Sequence, residues 1–185
     1  KILIQIENNV EESIAIWERA VEIMELSNNH YQIVLAAKNN NYTHSDSLQR
    51  HFKRAHWIGY NWTTGHSTAS FEALKNKGFD IITNDYLSNL IIDVFEKNIL
   101  RVQNDFSRDM FAKDNNYEQY MTKYVHGLVN EFNSANYNTL IKDDYYYSIL
   151  HQINGWRLGH LRRLNELHIP EMQRTLSLIK QELKK

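Results

Sequence analysis

From the first residue, apolar and small side chains recur at alternating spacings of three and four. The series is Leu3, Ile6, Val10, Ser13, Trp17, Ala20, Met24, Ser27, Tyr31 and Val34, and Ile14, Val21 and Leu35 widen the stripe. That period sets one helix face against a partner and leaves Glu7, Glu11, Glu12, Glu18 and Arg19 in water. It predicts a helix from about Ile2 to about Lys38. The run Asn39-Asn40-Asn41 ends it, because asparagine side chains compete for backbone hydrogen bonds.

A second helix is predicted to start at Ser45 or Asp46, to carry Leu48, Phe52, Ala55 and Ile58, and to stop at Thr63-Thr64-Gly65. A short third helix begins near Ser67, holds Phe71 and Leu74, and ends in Lys75, Lys77 and Gly78. Phe79 is placed for a contact back onto its last turn. After the brief Ile81-Ile82 connection, Thr83-Asn84-Asp85 reads as another helix start. The fourth helix runs through Leu87, Leu90, Ile91, Val94, Phe95, Ile99, Val102, Phe106 and Met110. Asp114-Asn115-Asn116 is expected to interrupt or kink it before Tyr117, Tyr120, Tyr124, Val125, Leu128 and Val129 continue.

Residues Asn133 to Asn138 read as a loop. The last segment begins near Asp143-Asp144 and carries Tyr146, Ile149, Leu150, Ile153, Trp156, Leu161, Leu164 and Leu167, then Met172, Leu176, Ile179 and Leu183. Pro170 lacks a backbone donor and is expected to bend or divide it. Matching stripes at the two ends predict an all-α, up-and-down helical bundle. Its long first and last helices pack antiparallel, with shorter middle helices over them. Residues 1–185 are read as a single helical domain.

Composition sharpens this reading. Only one proline and six glycines occur, whereas strand-rich domains spend both on frequent turns. A chain that is 42% hydrophobic and 23% charged is balanced for a globular fold. Lys+Arg 21 against Asp+Glu 22 gives a net charge of −1, without the basic excess that phosphate neutralisation demands, so nucleic acid is not an expected partner. With no cysteine there are no disulfides, thiolate metal sites or cysteine nucleophile. No run reaches the ~18 apolar residues of a membrane span.

Candidate chemistry is thin. His160 and His168 lie eight apart, about 12 Å along a helix, too far for one metal ion to bridge. His51 and His56 point to different sides, and no HExxH pair occurs, so the nine histidines read as exposed or locally hydrogen-bonded. Ser67, Thr68 and Ser70 near His66 read as capping residues in the absence of a GxSxG elbow. Gly155 and Gly159 read as points of close helix approach. Arg157, Arg162 and Arg163, close to Glu166, read as a solvated face with local ion pairs. The residues that remain as a possible ligand pocket or contact surface are aromatic: Trp57, Tyr60, Trp62 and Trp156 against a pocket, Tyr145 and Tyr147 as a recognition surface. Core packing is the competing reading for the tryptophans, and one buried with two exposed tyrosines for Tyr145-Tyr146-Tyr147. No catalytic residue, cofactor or metal is assigned, and the chain is expected not to be an enzyme.

One stretch is more specific. From Phe71 the chain reads FEALKNKGFDIITNDYLSNLIIDVFE, with SDSLQRHF from Ser45 before it and LIKDDYYYSILHQ from Leu140 after it. In this order the segments resemble an uncharacterised bacterial family, the domain of unknown function numbered six thousand and ninety, over essentially the whole chain. The resemblance implies a short basic N-terminus and one membrane helix upstream of Lys1, with the helical domain on the periplasmic side of the inner membrane. It implies an envelope-associated interaction or scaffold module, working with an envelope protein or by self-association. A small-ligand sensor with a pocket between helices is the alternative.

Overall fold

The computed structural model describes residues 1–57, 66–125 and 134–185. Among them the backbone is helical, with short turns and no strand. Helix α1 (Ile2–Asn39) buries all ten residues of the three-and-four series, and Ile14 with them. It stops where Asn41 takes a left-handed φ of 51°, a conformation asparagine tolerates better than most residues. Helix α2 (Asp46–Arg54) is N-capped by Ser45, whose hydroxyl accepts the Leu48 N–H at 3.2 Å, and it buries Leu48 and Phe52. The helix ends at Arg54, with Ala55 and His56 in a turn, short of the predicted continuation through Ala55; Ile58 and the predicted stop at Thr63-Thr64-Gly65 fall outside the described residues.

Helix α3 (Ala69–Lys77) ends at Gly78, φ 91°, and Phe79 folds back so that its ring lies 6.4 Å from that of Phe71. Phe71 stacks in turn on Phe95 at 4.9 Å. Asn84 starts α4 (Asp85–Ile92) by accepting the N–H groups of both Tyr86 and Leu87. Helical backbone then continues without a break through α5 (Ile99–Lys113) and α6 (Gln119–Val125). The joints are wide π-type turns, Asp93–Asn98 and Asp114–Glu118, so the Asp114-Asn115-Asn116 signal marks a bulge within a continuous helix.

The stretch read as a loop instead forms α7 (Ser134–Leu140), with Asn133 outside the described residues. Its asparagines disfavour helix, but burial of Tyr137 and Leu140 outweighs that preference. The Tyr137 hydroxyl also donates to the Tyr42 carbonyl at 2.7 Å. Asp143 then caps α8 (Asp144–Arg163), accepting the N–H groups of Tyr145 and Tyr146. A third wide turn, Leu164–His168, joins α8 to α9 (Ile169–Glu182). It sits just ahead of Pro170, where the Ile169 N–H reaches five residues back to the Leu164 carbonyl. Pro170 therefore widens the helix and does not end it.

Contacts divide the chain into two compact units. One comprises 1–21, 61–106 and 162–185, the other 22–60 and 107–161. In the first, Glu11 pairs with Lys180 and Gln173 donates to Glu18, so the opening and closing helices run antiparallel. In the second, Tyr31 meets His151 and Lys38 meets Asp144, again antiparallel. The all-α bundle with antiparallel long terminal helices is thus the observed architecture.

Candidate functional site

The second unit concentrates the polar interior. Arg157 on α8 is fully buried, at 0% exposure. Its Nε donates to the Trp57 carbonyl at 2.8 Å, Nη1 to Asn154 Oδ1 at 2.7 Å and Nη2 to the Ala55 carbonyl. Ala55 and Trp57 lie just past the end of α2, where helical carbonyls have no partner of their own and the dipole is negative. One guanidinium serves both needs. Burial pulls its pKa down to about 10, opposed by nearby Tyr31, so it stays charged at neutral pH. The expected solvated arginine face therefore loses Arg157 to the core. The reason is that α2 ends inside the unit, where water cannot satisfy its carbonyls.

A second buried pair lies between α5 and α8. His160 Nε2 stands 2.9 Å from Asp109 Oδ2, both side chains being more than nine-tenths buried. Arg108 Nε donates to the other carboxylate oxygen at 3.0 Å. Beside them Lys113 pairs with Asp114 at 3.0 Å. His56 stacks face to face on Tyr117 at 4.3 Å, and its Nδ1 is buried without a partner. Burial, with the charges of Lys113 and Arg157 added, drives the His56 pKa down to about 3.

His30 and His51 face each other, Nδ1 to Nδ1 at 2.8 Å, so one ring donates the N–H that the other accepts. These contacts join α1 to α2 and α5 to α8. His30, His51 and His160 are thus tied across long sequence separations, whereas His44 bonds locally to Gln49 at 3.1 Å, as expected.

Over this interior lies a groove of about 490 Å³ lined by Tyr31, Gln32, Leu35, Asp144, Tyr147, Ser148, His151 and Asn154. Tyr31 Oη and His151 Nδ1 are hydrogen-bonded across it at 3.0 Å. Lys38 sits 4.2 Å over the Tyr147 ring and also holds Asp144. The Tyr147 hydroxyl is buried without a partner, and burial raises its pKa, so it remains a neutral phenol.

Of the four aromatic candidates among the described residues, only Tyr147 lines this groove. Trp57 is exposed near the Arg54 guanidinium, Trp156 is half-buried on α8, and Tyr145 is exposed with its ring 5.7 Å from Tyr120. Tyr60 and Trp62 lie outside the described residues. In Tyr145-Tyr146-Tyr147 two rings are buried and one exposed, because Asp143 sets the helix start so that positions 146 and 147 both face inward.

Sequence reasoning missed Arg157, Asp109, Lys113 and His160. Their signal was register. Counting threes and fours along α8 from Tyr146 gives Leu150, Ile153, Arg157, His160 and Leu164, all buried. Among the described residues no three His, Asp or Glu side chains gather as metal ligands do. No family model, curated protein or solved structure matches the chain.

Proposed function

We propose that the chain is a non-catalytic helical module of the bacterial cell envelope. In this reading it is tethered to the inner membrane from upstream of Lys1, lies on the periplasmic side, and serves as an interaction or scaffold body for an envelope protein or a second copy. The observation that carries the non-catalytic part is how the buried and half-buried polar groups are used. Arg157 caps α2, Asp109 locks His160, and Asp143 caps α8 while accepting the Tyr120 hydroxyl at 2.5 Å. Each ties one helix to another, as a rigid scaffold requires. The envelope assignment rests on the resemblance of the SDSLQRHF, FEALKNKGFDIITNDYLSNLIIDVFE and LIKDDYYYSILHQ segments.

The test is fractionation of cells carrying the full-length protein, followed by cross-linking and reciprocal pull-down. The expected result is inner-membrane recovery, digestion by protease once the outer membrane is opened, and one partner captured in both directions. A protein that stays protected until the inner membrane is breached, or no reproducible partner from membranes or crude envelope, would overturn the reading.

One observation favours a sensor as the second reading. The unpartnered Tyr147 hydroxyl stands beside a groove that also offers Gln32, Ser148, His151 and Asn154. A specific ligand at about 100 times its Kd would stabilise the fold by about 2.7 kcal/mol. A thermal-shift screen of small polar metabolites reads this directly. Failure of every hit to lose its shift in Tyr147→Phe and His151→Ala removes this reading.

A further inference from the structure

Helix α2 is held to its unit by apolar contacts, by imidazoles and, at its C-terminal end, by the Arg157 guanidinium on the Ala55 and Trp57 carbonyls. Leu48 and Phe52 are buried, with the Phe52 ring 5.2 Å from Tyr137 and stacked 6.1 Å from Tyr146. His51 hydrogen-bonds to His30 of α1 at 2.8 Å with ring centroids 4.9 Å apart, and His56 stacks on Tyr117 at 4.3 Å. His30 Nε2 and His56 Nδ1 are both buried without a partner, so a proton added at either meets no acceptor. Among the described residues the charged groups facing these rings are all basic. Arg54 and Arg157 face His30, Arg50 and Arg54 face His51, and Lys113 and Arg157 face His56. A nine-residue helix has no stability alone, so whatever loosens this seat releases α2.

We propose that α2 is an acid-released latch, seated while His30, His51 and His56 are neutral and freed when they take up protons. The His30–His51 bond needs a bare nitrogen on one ring, and protonating both removes it. Among the described residues, each new charge would also enter a surround of arginines and a lysine, and the nearby carboxylates of Asp114 and Glu118 are already engaged by that lysine, Lys113. Release frees His56 from Tyr117, uncovers Leu48 and Phe52, and bares the faces of Tyr137 and Tyr146. That apolar surface is hidden at neutral pH.

The size of the effect follows from His56. Seated, it resists protonation down to about pH 3, whereas in the open segment it titrates near 6.5. Linkage then raises the open population about 25-fold at pH 5 over neutral pH, before His30 and His51 add their share.

Hydrogen exchange of the full chain, corrected for the intrinsic pH dependence of the chemistry, tests this. Between pH 7 and pH 5 the opening of amides Gln49 to Ala55 is expected to rise about 25-fold or more, while amides 6–20 of α1 stay protected. His56→Phe keeps the stack without a titrating nitrogen and should abolish most of that rise. His30→Leu with His51→Leu should remove the remainder. Exchange in α2 that is flat with pH, that rises in step with 6–20, or that is unchanged in His56→Phe would overturn the latch. The outcome is independent of partner capture, so the envelope reading stands or falls separately.

Discussion

Asp109 and His160 form a buried couple whose worth depends on both members being present. Removing Asp109 strips the buried His160 of its carboxylate, and removing His160 leaves a buried carboxylate with one of its two ionic contacts, that to Arg108, whereas replacing both by apolar groups leaves an ordinary apolar contact between α5 and α8. Asp109→Ala is therefore expected to lower the unfolding free energy by about 3 kcal/mol. The double change Asp109→Leu with His160→Leu should lie within about 1 kcal/mol of the native chain. Urea denaturation of the two single variants and the double measures the coupling, and additive losses would show that the pair does not act as a unit. Arg157 follows the same logic, with backbone carbonyls of Ala55 and Trp57 as its counterparts. Residue type conceals these roles, whereas helical register places both side chains in the core. A charged side chain at a core position looks like a surface residue until its partner, 51 positions away for His160 and 102 for Arg157 Nη2, is brought to it.

At the scale of elements, helix starts were the clearest signals in the sequence, because a cap is made by neighbours. Ser45, Asn84 and Asp143 each satisfy backbone donors two or three residues on, as their side-chain chemistry anticipates. Wide turns were harder to see. Along α8 and α9 the buried series runs Leu164, His168, Met172, two steps of four where seven residues would normally cover two steps. The extra residue is absorbed by the turn Leu164–His168, which turns His168 inward and leaves Leu167 58% exposed although it had been read as core. The same doubled four occurs at Ile91, Phe95, Ile99 and again at Asp109, Lys113, Tyr117, each across a wide turn. Each wide turn thus carries a doubled step of four, although such steps also occur in regular helix, as at Ile6, Val10 and Ile14 of α1.

The two glycines of α8 also differ from expectation. A Cβ built on Gly155 or Gly159 meets nothing within 4 Å, so neither marks a close helix approach. Gly155→Ala should accordingly raise stability by about 0.5–1 kcal/mol by restricting the unfolded chain. A thermal midpoint equal to or below the native one would show that α8 needs flexibility there.

For the whole molecule, acidity is the variable that reaches furthest, because several histidines are kept neutral by the fold. His30, His51, His56 and His168 all have lowered pKa values, burial being the first cause in each. A lowered value means the unfolded chain binds protons that the folded chain refuses. Their contribution to stability is thus complete above about pH 6.5 and is lost as pH falls below it, towards the folded values. Carboxylates act in a separate, lower window. For Asp143, burial raises the pKa, but the Tyr120 hydroxyl, the Tyr146 and Tyr145 N–H groups and Lys38 outweigh it and hold the net value low. Its contribution is present above the ordinary carboxylate range and disappears only below about pH 4. The denaturation midpoint in urea should therefore fall steadily from pH 6.5 to pH 4.5, by an amount matching uptake of more than one proton.

His168 lies in the other unit from α2, against Trp17 with ring centroids 5.8 Å apart, so its share is independent of the latch. His168→Leu should flatten the midpoint profile without altering exchange at Gln49 to Ala55, and His56→Phe should alter both. A midpoint that is constant or rises over this range would mean that the histidines titrate as freely in the folded chain as in the unfolded one, which their burial forbids.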